Sequence, residues 1–204
     1  MLASPQRTAF EPDFAIGSQA ARQEKAAIGR LAASTLRQGQ SVIFDSSSTV
    51  LEAAQAVLRR NLVLTAITND LNIATTLAGG KNIRLLVPGG SLRPGSYTLY
   101  GEPGEGFIAG LHADVALLGI HALVNGFLSD ASVEIVTIKR RIIEAAQHVV
   151  VLADASKFKS PALCNVCGID RIDEVITDDG AEQAWQDALE EKGVKVSRAG
   201  REAA

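Results

Sequence analysis

Short apolar runs alternate with longer amphipathic segments along most of this chain. The apolar runs predict strands at 42–44, 62–68, 83–87, 115–120, 148–153, 174–177 and 194–197. The amphipathic segments predict helices at 19–37, 49–59, 70–78, 133–147 and 181–191. Several strand candidates are continuously apolar, which is typical of strands buried on both faces of a parallel sheet. The pattern therefore predicts an α/β fold with a mostly parallel central sheet flanked by helices.

Two segments depart from that alternation. Residues 1–18 have little periodicity and are expected to form a linker arm, which leaves 19–204 as the folded domain. Residues 88–106 are rich in glycine and proline. A long segment of this composition inside a compact domain is often functional, so we expect a functional loop or a small subdomain there.

Composition and charge narrow the classes of function. The chain has 204 residues, of which 47% are apolar, and this is enough to bury the core of one domain. Its net charge of −3 argues against a nucleic-acid surface on this chain. No apolar stretch is long enough to span a bilayer and no signal-peptide pattern is found, so we expect a cytoplasmic protein without membrane contact.

The two cysteines carry the spacing of half a zinc site or of a redox pair. They are Cys164 and Cys167, and no second pair accompanies them. We interpret them as small packing residues near an element boundary. No metal site and no cofactor are expected.

The strongest chemical signal is a run of hydroxyl side chains between a predicted strand and a predicted helix. The run is Asp45, Ser46, Ser47, Ser48 and Thr49. The first N–H groups of a helix lack partners within the helix, and the helix dipole adds positive potential there. Hydroxyl groups add further donors, so a phosphate fits this place. A helix cap needs only one such residue, and four in a row favour a ligand loop.

Other polar residues and glycines follow the remaining predicted strands. They are Thr68, Asn69, Asp70, Gly89, Gly90, Gly119, His121, Asp154 and Lys157. Ligands of open α/β sheets gather at the carboxyl ends of the strands. Each residue alone has an ordinary explanation as a cap, a turn or a surface residue. Together they favour a polyhydroxylated anion such as a sugar phosphate.

A series of motifs along the chain resembles the sensor domain of DeoR-type transcriptional regulators. The series is Glu24-Lys25-x-x-Ile28, 45–49, Thr68-Asn69, Gly89-Gly90, Gly101, Asp114, Gly119, Gly126, Lys139-Arg140, 152–158 and 176–178. The resemblance covers roughly residues 20 to 180. It implies a fold of the ribose-phosphate isomerase type and a phosphorylated sugar as effector. It also implies contact with DNA only through an N-terminal winged helix-turn-helix, which this chain lacks.

The same resemblance implies roles for the matching positions. The segment 46–49 would hold the effector phosphate, the residues after the second and third strands would line the sugar pocket, and Asp154 and Lys157 would lie at its rim. Gly119, His121, Glu134 and Lys139 complete the candidate ligand-binding set. One departure is that family members commonly have glycine where this chain has Ser47, and a Cβ there could narrow the close approach of the backbone to a phosphate.

A sugar-phosphate isomerase is the alternative function, since the fold resemblance extends to ribose-5-phosphate isomerases. Isomerisation needs a positioned base and a positioned acid. Those isomerases carry an acidic Asp-Gly-Ala-Asp-Glu stretch where this chain has 118–122 without a carboxylate. Glu134 alone can match the isomerase base. We therefore favour a sensor over an enzyme and expect no catalytic residue; the hydroxyl run disfavours a plain assembly domain.

The resemblance also implies a homo-oligomer, because regulators of this type bind two-fold symmetric operators. The segment 91–100 is expected to expose Leu92, Tyr97, Leu99 and Tyr100, and tyrosine is enriched where proteins meet. The same residues could instead fold back as a lid over the sugar pocket. Both interpretations stay open at this point.

Overall fold

A computed structural model describes residues 21–200 of the chain. The helices are α1 (Arg22–Thr35), α2 (Ser48–Arg60), α3 (Leu71–Leu77), α4 (Gly104–Ala109), α5 (Val133–Glu144) and α6 (Gln183–Glu190). The strands are β1 (Ser41–Phe44), β2 (Leu64–Thr68), β3 (Ile83–Leu86), β4 (Ser91–Leu92), β5 (Leu99–Tyr100), β6 (Ala113–Gly119), β7 (Ala122–Val124), β8 (Phe127–Asp130), β9 (Ala146–Leu152), β10 (Cys164–Gly168), β11 (Glu174–Asp178) and β12 (Lys195–Ala199). Two short 3-10 helices span Ala155–Phe158 and Ile169–Arg171.

A central sheet contains all seven strands that the sequence predicts. Its order is β12-β11-β9-β6-β1-β2-β3, and every neighbouring pair is parallel. The α/β fold class and the parallel sheet are thus confirmed. Because all seven strands run the same way, the loops that follow them lie along one edge, which we call the carboxyl edge.

The core forms one layer on each face of this sheet. In β1, Val42 and Phe44 lie in the layer that contains α1, α2 and α3, whereas Ile43 lies in the layer that contains α4, α5 and α6. All three side chains are fully buried. Burial on both faces explains why these strands are continuously apolar, and a fully buried side chain of this size stabilises the fold by about 1.5–3 kcal/mol.

Helices α1 and α2 pack closely at Gly29. A Cβ at this position would lie 2.6 Å from the Ala53 nitrogen and 2.7 Å from the Glu52 Cβ. Both atoms belong to α2 and neither can move without shifting the helix. Glycine is therefore required for the close contact between the two helices.

Several elements lie outside the predicted pattern. A three-stranded antiparallel sheet, β10-β8-β7, is formed by strands that lie in the chain between strands of the central sheet, and β4 pairs with β5 as a small antiparallel hairpin. The glycine-rich segment 88–106 is thus partly ordered into this hairpin and the start of α4. The cysteines lie inside β10 as free, half-buried thiols, and burial raises the pKa of Cys167 to about 11.

Some predicted bounds need correction. The helix predicted at 133–147 ends at Glu144, because residues from Ala146 onward pair with β6 and begin β9. The helix predicted from residue 19 has Arg22–Thr35 as its described part. The predicted linker arm, 1–18, lies outside the described residues.

Candidate functional site

The hydroxyl loop (residues 45–49) joins β1 to α2 at the carboxyl edge. The Ser47 hydroxyl caps α2 by accepting a hydrogen bond from the Thr49 amide at 3.1 Å. Ser47 also packs against the end of β6, since a Cβ on Gly119 would lie 2.1 Å from the Ser47 Cβ. Within residues 21–200 no hydrogen bond involves the side chain of Ser48 or Thr49. Ser47 thus supports the loop and joins it to the end of β6.

A buried ion pair underlies the hydroxyl loop. The Lys139 ammonium, from α5, donates to Asp45 Oδ2 and to the Gly119 carbonyl oxygen, the latter at 2.7 Å. The Gly119 amide donates to Asp45 Oδ2 at 3.1 Å, and Asp130 Oδ2 lies 4.0 Å from Lys139 Nζ. Burial raises the pKa of Asp45, and the Lys139 charge opposes that rise. Three of the predicted site residues therefore form one network.

Ser46 connects the hydroxyl loop to the loop that follows β2. Its hydroxyl donates to Asp70 Oδ2 at 2.6 Å. The other oxygen, Asp70 Oδ1, accepts from the Asn72 and Ile73 amides at 2.8 and 2.9 Å and caps α3. Burial raises the pKa of Asp70, and these hydrogen bonds oppose the rise. The Asp70 carboxylate thus combines a helix cap with a link between two loops.

Thr68 and Asn69 fix the path of the chain after β2. The Thr68 hydroxyl donates to the Phe44 carbonyl oxygen at 2.7 Å, which joins the ends of β1 and β2. Asn69 Nδ2 donates to the Leu99 carbonyl oxygen at 3.2 Å. Asn69 Oδ1 is buried and has no hydrogen-bond partner among the described residues. A buried oxygen of this kind marks a place where a donor from a ligand could be accepted.

A segment that we call the strap (residues 91–100) crosses the edge beside these loops. It consists of β4, β5 and their connecting turn. The hydroxyls of Thr98 and Ser46 lie 2.6 Å apart. Leu99 is buried and Tyr100 half-buried, so the sequence-based expectation that both are exposed is wrong; Leu92 and Tyr97 are exposed as expected.

Gly89 and Gly90 form the turn after β3, and both have positive φ angles, of 86° and 118°. A Cβ on Gly90 would lie 2.6 Å from the Tyr100 carbonyl oxygen. A Cβ on Gly104 would lie 2.4 Å from the Gly89 carbonyl oxygen. This turn therefore lets the end of β3, the strap and α4 approach one another closely.

A second group of charges lies where β9 ends. Asp154 is buried and accepts from the Ser156 amide at 3.0 Å. Lys25, in the first turn of α1, is 5% exposed. Burial lowers the pKa of Lys25, the Asp154 and Glu52 charges raise it, and the Lys157 charge lowers it. The charges of Asp154 and Lys157, which follow β9, and of Glu52 on α2 thus act on one buried lysine at the amino end of α1.

Glu134 and His121 lie apart from the buried network. Glu134 is exposed in the first turn of α5, where the Ser132 hydroxyl donates to its Oε2 at 2.6 Å. This hydrogen bond is the main reason why the pKa of Glu134 is lowered, and the Arg93 charge adds to the effect. His121 is half-buried directly after β6. A carboxyl with a lowered pKa is poorly suited to be a general base near neutral pH.

Comparison with known proteins identifies the family. The model of the DeoR C terminal sensor domain matches residues 20–179, which is most of the chain. The chain belongs to the DeoR family.

Relatives of this DeoR sensor domain include several repressors. It is 35% identical over 175 residues to the HTH-type transcriptional repressor GlcR of Bacillus subtilis, covering 85% of this chain and 67% of that protein. It is 34% identical to the glycerol-3-phosphate regulon repressor of Escherichia coli K12, covering 76% and 62% of the two chains. The putative aga operon transcriptional repressor of Escherichia coli O157:H7 is 31% identical, with 84% and 64% covered. The chain thus spans about two thirds of the length of these curated relatives.

Solved structures similar to the DeoR sensor domain have the same type of fold. Ribose 5-phosphate isomerase A from Methanocaldococcus jannaschii matches with a TM-score of 0.52 at 16% identity, covering 69% of this chain and 56% of that one. The delta subunit of eIF2B from Chaetomium thermophilum matches with a TM-score of 0.56 at 17% identity, covering 76% and 55%. At these identities the similarity establishes the fold alone.

The candidate site of this DeoR-family domain contains residues that the sequence-based list omits. They are Lys25, Asp130 and Thr98. Lys25 belongs to the motif series. Its position near the start of the helix before the first strand is the sequence signal that could have indicated a role in the site. Asp130 ends a strand that the pattern did not predict, and Thr98 lies in the glycine-rich segment where periodicity carries no information. Their positions depend on long-range contacts.

The structure explains how the chain accommodates Ser47 at the position where the family resemblance led us to expect glycine. The Ser47 side chain is directed against Gly119, where glycine leaves room for it, and its hydroxyl caps α2. The extra Cβ is therefore accommodated by β6.

Two further features of the described residues bear on partners. In the range 21–200 we find no helix of the length and apolarity that a membrane crossing requires. The same part of the chain has no group of three or more His, Cys, Asp or Glu side chains placed to hold a metal ion.

Proposed function

We propose that this chain is the effector-binding domain of a bacterial transcriptional regulator of sugar metabolism, and that its effector is a phosphorylated sugar. The observation that carries the proposal is the arrangement at the amino end of α2. There the hydroxyls of Ser48 and Thr49 have no bonds among the described residues, and the buried Lys25 lies one turn before Gly29, where α1 packs against α2.

Physical chemistry favours a phosphate at this place. The first N–H groups of α2 have no partner within the helix, and the dipole of this 13-residue helix adds positive potential. Hydroxyl donors and a nearby ammonium supply charge-assisted hydrogen bonds, which are about twice as strong as neutral ones. We infer that the phosphate lies against residues 48–49 and within reach of the Ser46 hydroxyl, with Lys25 and Lys157 contributing charge.

The sugar hydroxyls would extend along the carboxyl edge toward β2. Asn69 Oδ1 is an acceptor without a partner in residues 21–200, and Asp154 and His121 lie beside the loop on the other side. Glu134, ionised and exposed, adds an acceptor in the first turn of α5. This distribution of acceptors suits a ligand with several hydroxyl groups. The relative named as the glycerol-3-phosphate regulon repressor supports a small phosphate ester as the effector class.

A sugar-phosphate isomerase remains the second candidate, because Asp45, Asp130 and Lys139 cluster below the loop. The cluster favours a structural role instead. Lys139 and Asp45 are 3% and 1% exposed and are paired with each other. Proton transfer to a substrate would need one of them to leave that pair.

The activity of the full-length protein follows as part of the proposal. We infer that DNA is contacted only through a helix-turn-helix domain outside this chain, that the protein assembles as a homo-oligomer, and that it works in the cytoplasm. Effector binding would shift the equilibrium between two arrangements of the DNA-binding domains. The difference between the effector's affinities for these two arrangements sets the size of that shift.

Calorimetry with matched ligands tests the proposal. Ribose 5-phosphate, glycerol 3-phosphate and inorganic phosphate are compared with ribose and glycerol under the same conditions. We expect heat of binding for at least one phosphorylated compound and none for the two unphosphorylated ones. Binding of ribose as tight as that of its phosphate would contradict the proposal.

A coupled assay for conversion of ribose 5-phosphate to ribulose 5-phosphate tests the enzymatic alternative. We expect no turnover above background. Turnover that the Glu134→Gln variant abolishes would favour the isomerase.

A further inference from the structure

A chain of hydroxyl hydrogen bonds links the strap to the proposed phosphate site. Ser46 has one hydroxyl proton, and it donates that proton to Asp70 Oδ2. The 2.6 Å contact between Thr98 and Ser46 must therefore use the Thr98 proton. The order of donation is Thr98 to Ser46 to Asp70, and all three side chains are buried or half-buried.

Backbone hydrogen bonds attach the same part of the strap to the loop after β2. The Leu99 amide donates to the Asn69 carbonyl oxygen at 2.7 Å, and Asn69 Nδ2 donates to the Leu99 carbonyl oxygen at 3.2 Å. The Leu71 amide donates to the Tyr97 carbonyl oxygen at 3.0 Å. With the strap in this position, Asn69 Oδ1 is enclosed and has no partner in the described part of the chain.

We propose that Thr98 is a positioning residue that holds the strap closed beside the proposed phosphate site, and that binding of a phosphate ester releases it. This inference rests on the proposed function and adds a regulatory step to it. Ligand binding at residues 46–49 is then thermodynamically coupled to opening of the strap, so each favours the other.

The reason is competition for one proton. A phosphate oxygen accepts hydrogen bonds, so Ser46 can contact it only by turning its proton away from Asp70. To reach the phosphate, the Ser46 side chain rotates about its Cα–Cβ bond, and this moves its hydroxyl oxygen away from both Thr98 and Asp70. The strap then loses its side-chain attachment to the hydroxyl loop.

Opening of the strap also makes the enclosed acceptor accessible. Once Leu99 moves, Asn69 Oδ1 can accept a hydroxyl from the sugar part of the ligand. A buried acceptor without a partner costs free energy, so this new bond offsets part of the cost of opening. The phosphate thus begins the release and the sugar hydroxyl completes it.

Hydrogen exchange followed by mass spectrometry tests the coupling, with inorganic phosphate as the probe and sodium chloride at equal ionic strength as the control. We expect slower exchange in residues 46–50 and faster exchange in residues 92–99. Slower exchange at 46–50 with unchanged exchange at 92–99 overturns the coupling but leaves the phosphate site intact. No change in either segment overturns the phosphate site and the coupling with it.

Variants at Thr98 test the role of its hydroxyl. Thr98→Val removes the hydroxyl donor and keeps the shape of the side chain. Without phosphate, the backbone amides of the strap should therefore exchange their hydrogens faster than in the parent protein. Phosphate should bind about threefold to tenfold more tightly. Thr98→Ser keeps the hydroxyl and should behave like the parent protein. Thr35→Val, which removes a hydroxyl bonded to Ala32 at the far end of α1, is the matched control.

A second variant covers the case in which Thr98→Val does not fold. Ser46→Ala removes the acceptor of the same hydrogen bond, and in phosphate-free protein it should also speed exchange in residues 92–99. Unchanged exchange of the strap in whichever of these variants folds overturns the proposal.

Discussion

Lys139 on α5 donates from its buried ammonium to the carboxylate of Asp45, which lies 94 positions earlier in the chain. The same ammonium holds the carbonyl oxygen of Gly119 at the end of β6. A helix from one face of the sheet thus fixes the first residue of the hydroxyl loop. The geometry of the proposed phosphate site therefore depends on an ion pair beneath it.

Removing one partner of this ion pair should destabilise the fold strongly. Lys139→Met leaves the Asp45 carboxylate buried without its counter-charge, and we expect the free energy of unfolding to fall by about 3–5 kcal/mol. Urea denaturation followed by circular dichroism measures the change. Lys195→Met is the control, because Lys195 is 64% exposed beside Glu174 and its loss should cost at most about 1 kcal/mol.

The double variant Asp45→Asn with Lys139→Met separates charge burial from packing. It removes both charges, so it should recover a substantial part of the stability lost in the single variant. A double variant no more stable than Lys139→Met would mean that packing, and not the unpaired charge, causes the loss.

The hydroxyl of Ser48 is expected to contact the ligand phosphate. Ser48→Ala should weaken binding of a phosphorylated sugar about tenfold or more, because a hydrogen bond to a charged group contributes about 1.5–3 kcal/mol. Calorimetry with the phosphorylated compound identified by the ligand comparison measures the loss. Unchanged affinity would remove Ser48 from the site.

Two other serines serve as comparisons for that variant. Ser34→Ala removes an exposed hydroxyl at the end of α1 and should leave affinity unchanged. Ser47→Ala removes the cap of α2, so it should lower the free energy of unfolding by about 1 kcal/mol. The two adjacent serines of the loop should thus differ, one acting on affinity and the other on stability.

Asp114 should contribute to the acid sensitivity of the fold. Hydrogen bonds from the Ser41 hydroxyl and amide lower the pKa of Asp114, so the carboxylate form is favoured in the folded state. Its stabilising effect is present above the unfolded pKa, which is near 3.9, and is lost as pH falls through the lower folded value. Asp114→Asn should therefore lose less thermal stability than the parent protein below about pH 4.

Thermal melts between pH 7 and pH 3 measure that difference. Asp179→Asn, at an exposed position, is the control and should follow the parent protein. Parallel curves for Asp114→Asn and the parent protein would contradict the assignment.

The exposed face of the strap should take part in assembly. Leu92 is 50% and Tyr97 43% exposed, and Leu71 beside them is 36% exposed. Light scattering should give at least twice the chain mass of 21.4 kDa. Tyr97→Glu should reduce the mass, whereas Phe107→Glu, at an equally exposed position on α4, should not.

The outcome for Tyr97→Glu also separates an interface from a lid. An unchanged mass with weaker ligand binding would assign the strap to the pocket alone. A parent protein that is monomeric at micromolar concentration would exclude the oligomer.

The central sheet could be predicted because its strands are buried on both faces. A run such as Val42-Ile43-Phe44 places apolar side chains in both core layers, and this leaves a local signal that periodicity detects. The hydroxyl loop was equally visible, since its residue types are confined to five consecutive positions. Local composition was sufficient for both.

The parts that were not predicted depend on contacts between distant residues. Strand β7 has only three residues, and β8 and β10 pair across a bulge, so no regular alternation reveals them. Thr98 acquires its role only because it meets Ser46, which is 52 positions away. The separate tasks of Ser46, Ser47 and Ser48 depend likewise on Asp70, Gly119 and the start of α2, and no local pattern in the sequence reveals these contacts.

The tight crossing at Gly29 has a consequence for how α1 and α2 can move. Because Gly29 has no Cβ, the backbone of α1 approaches Glu52 and Ala53 of α2 directly, so a tilt of one helix displaces the other. Lys25 lies on α1 at the proposed phosphate site, in the first turn of a helix that begins at Arg22. A small rotation of the α2 amino end would therefore also displace Lys25 and the amino end of α1.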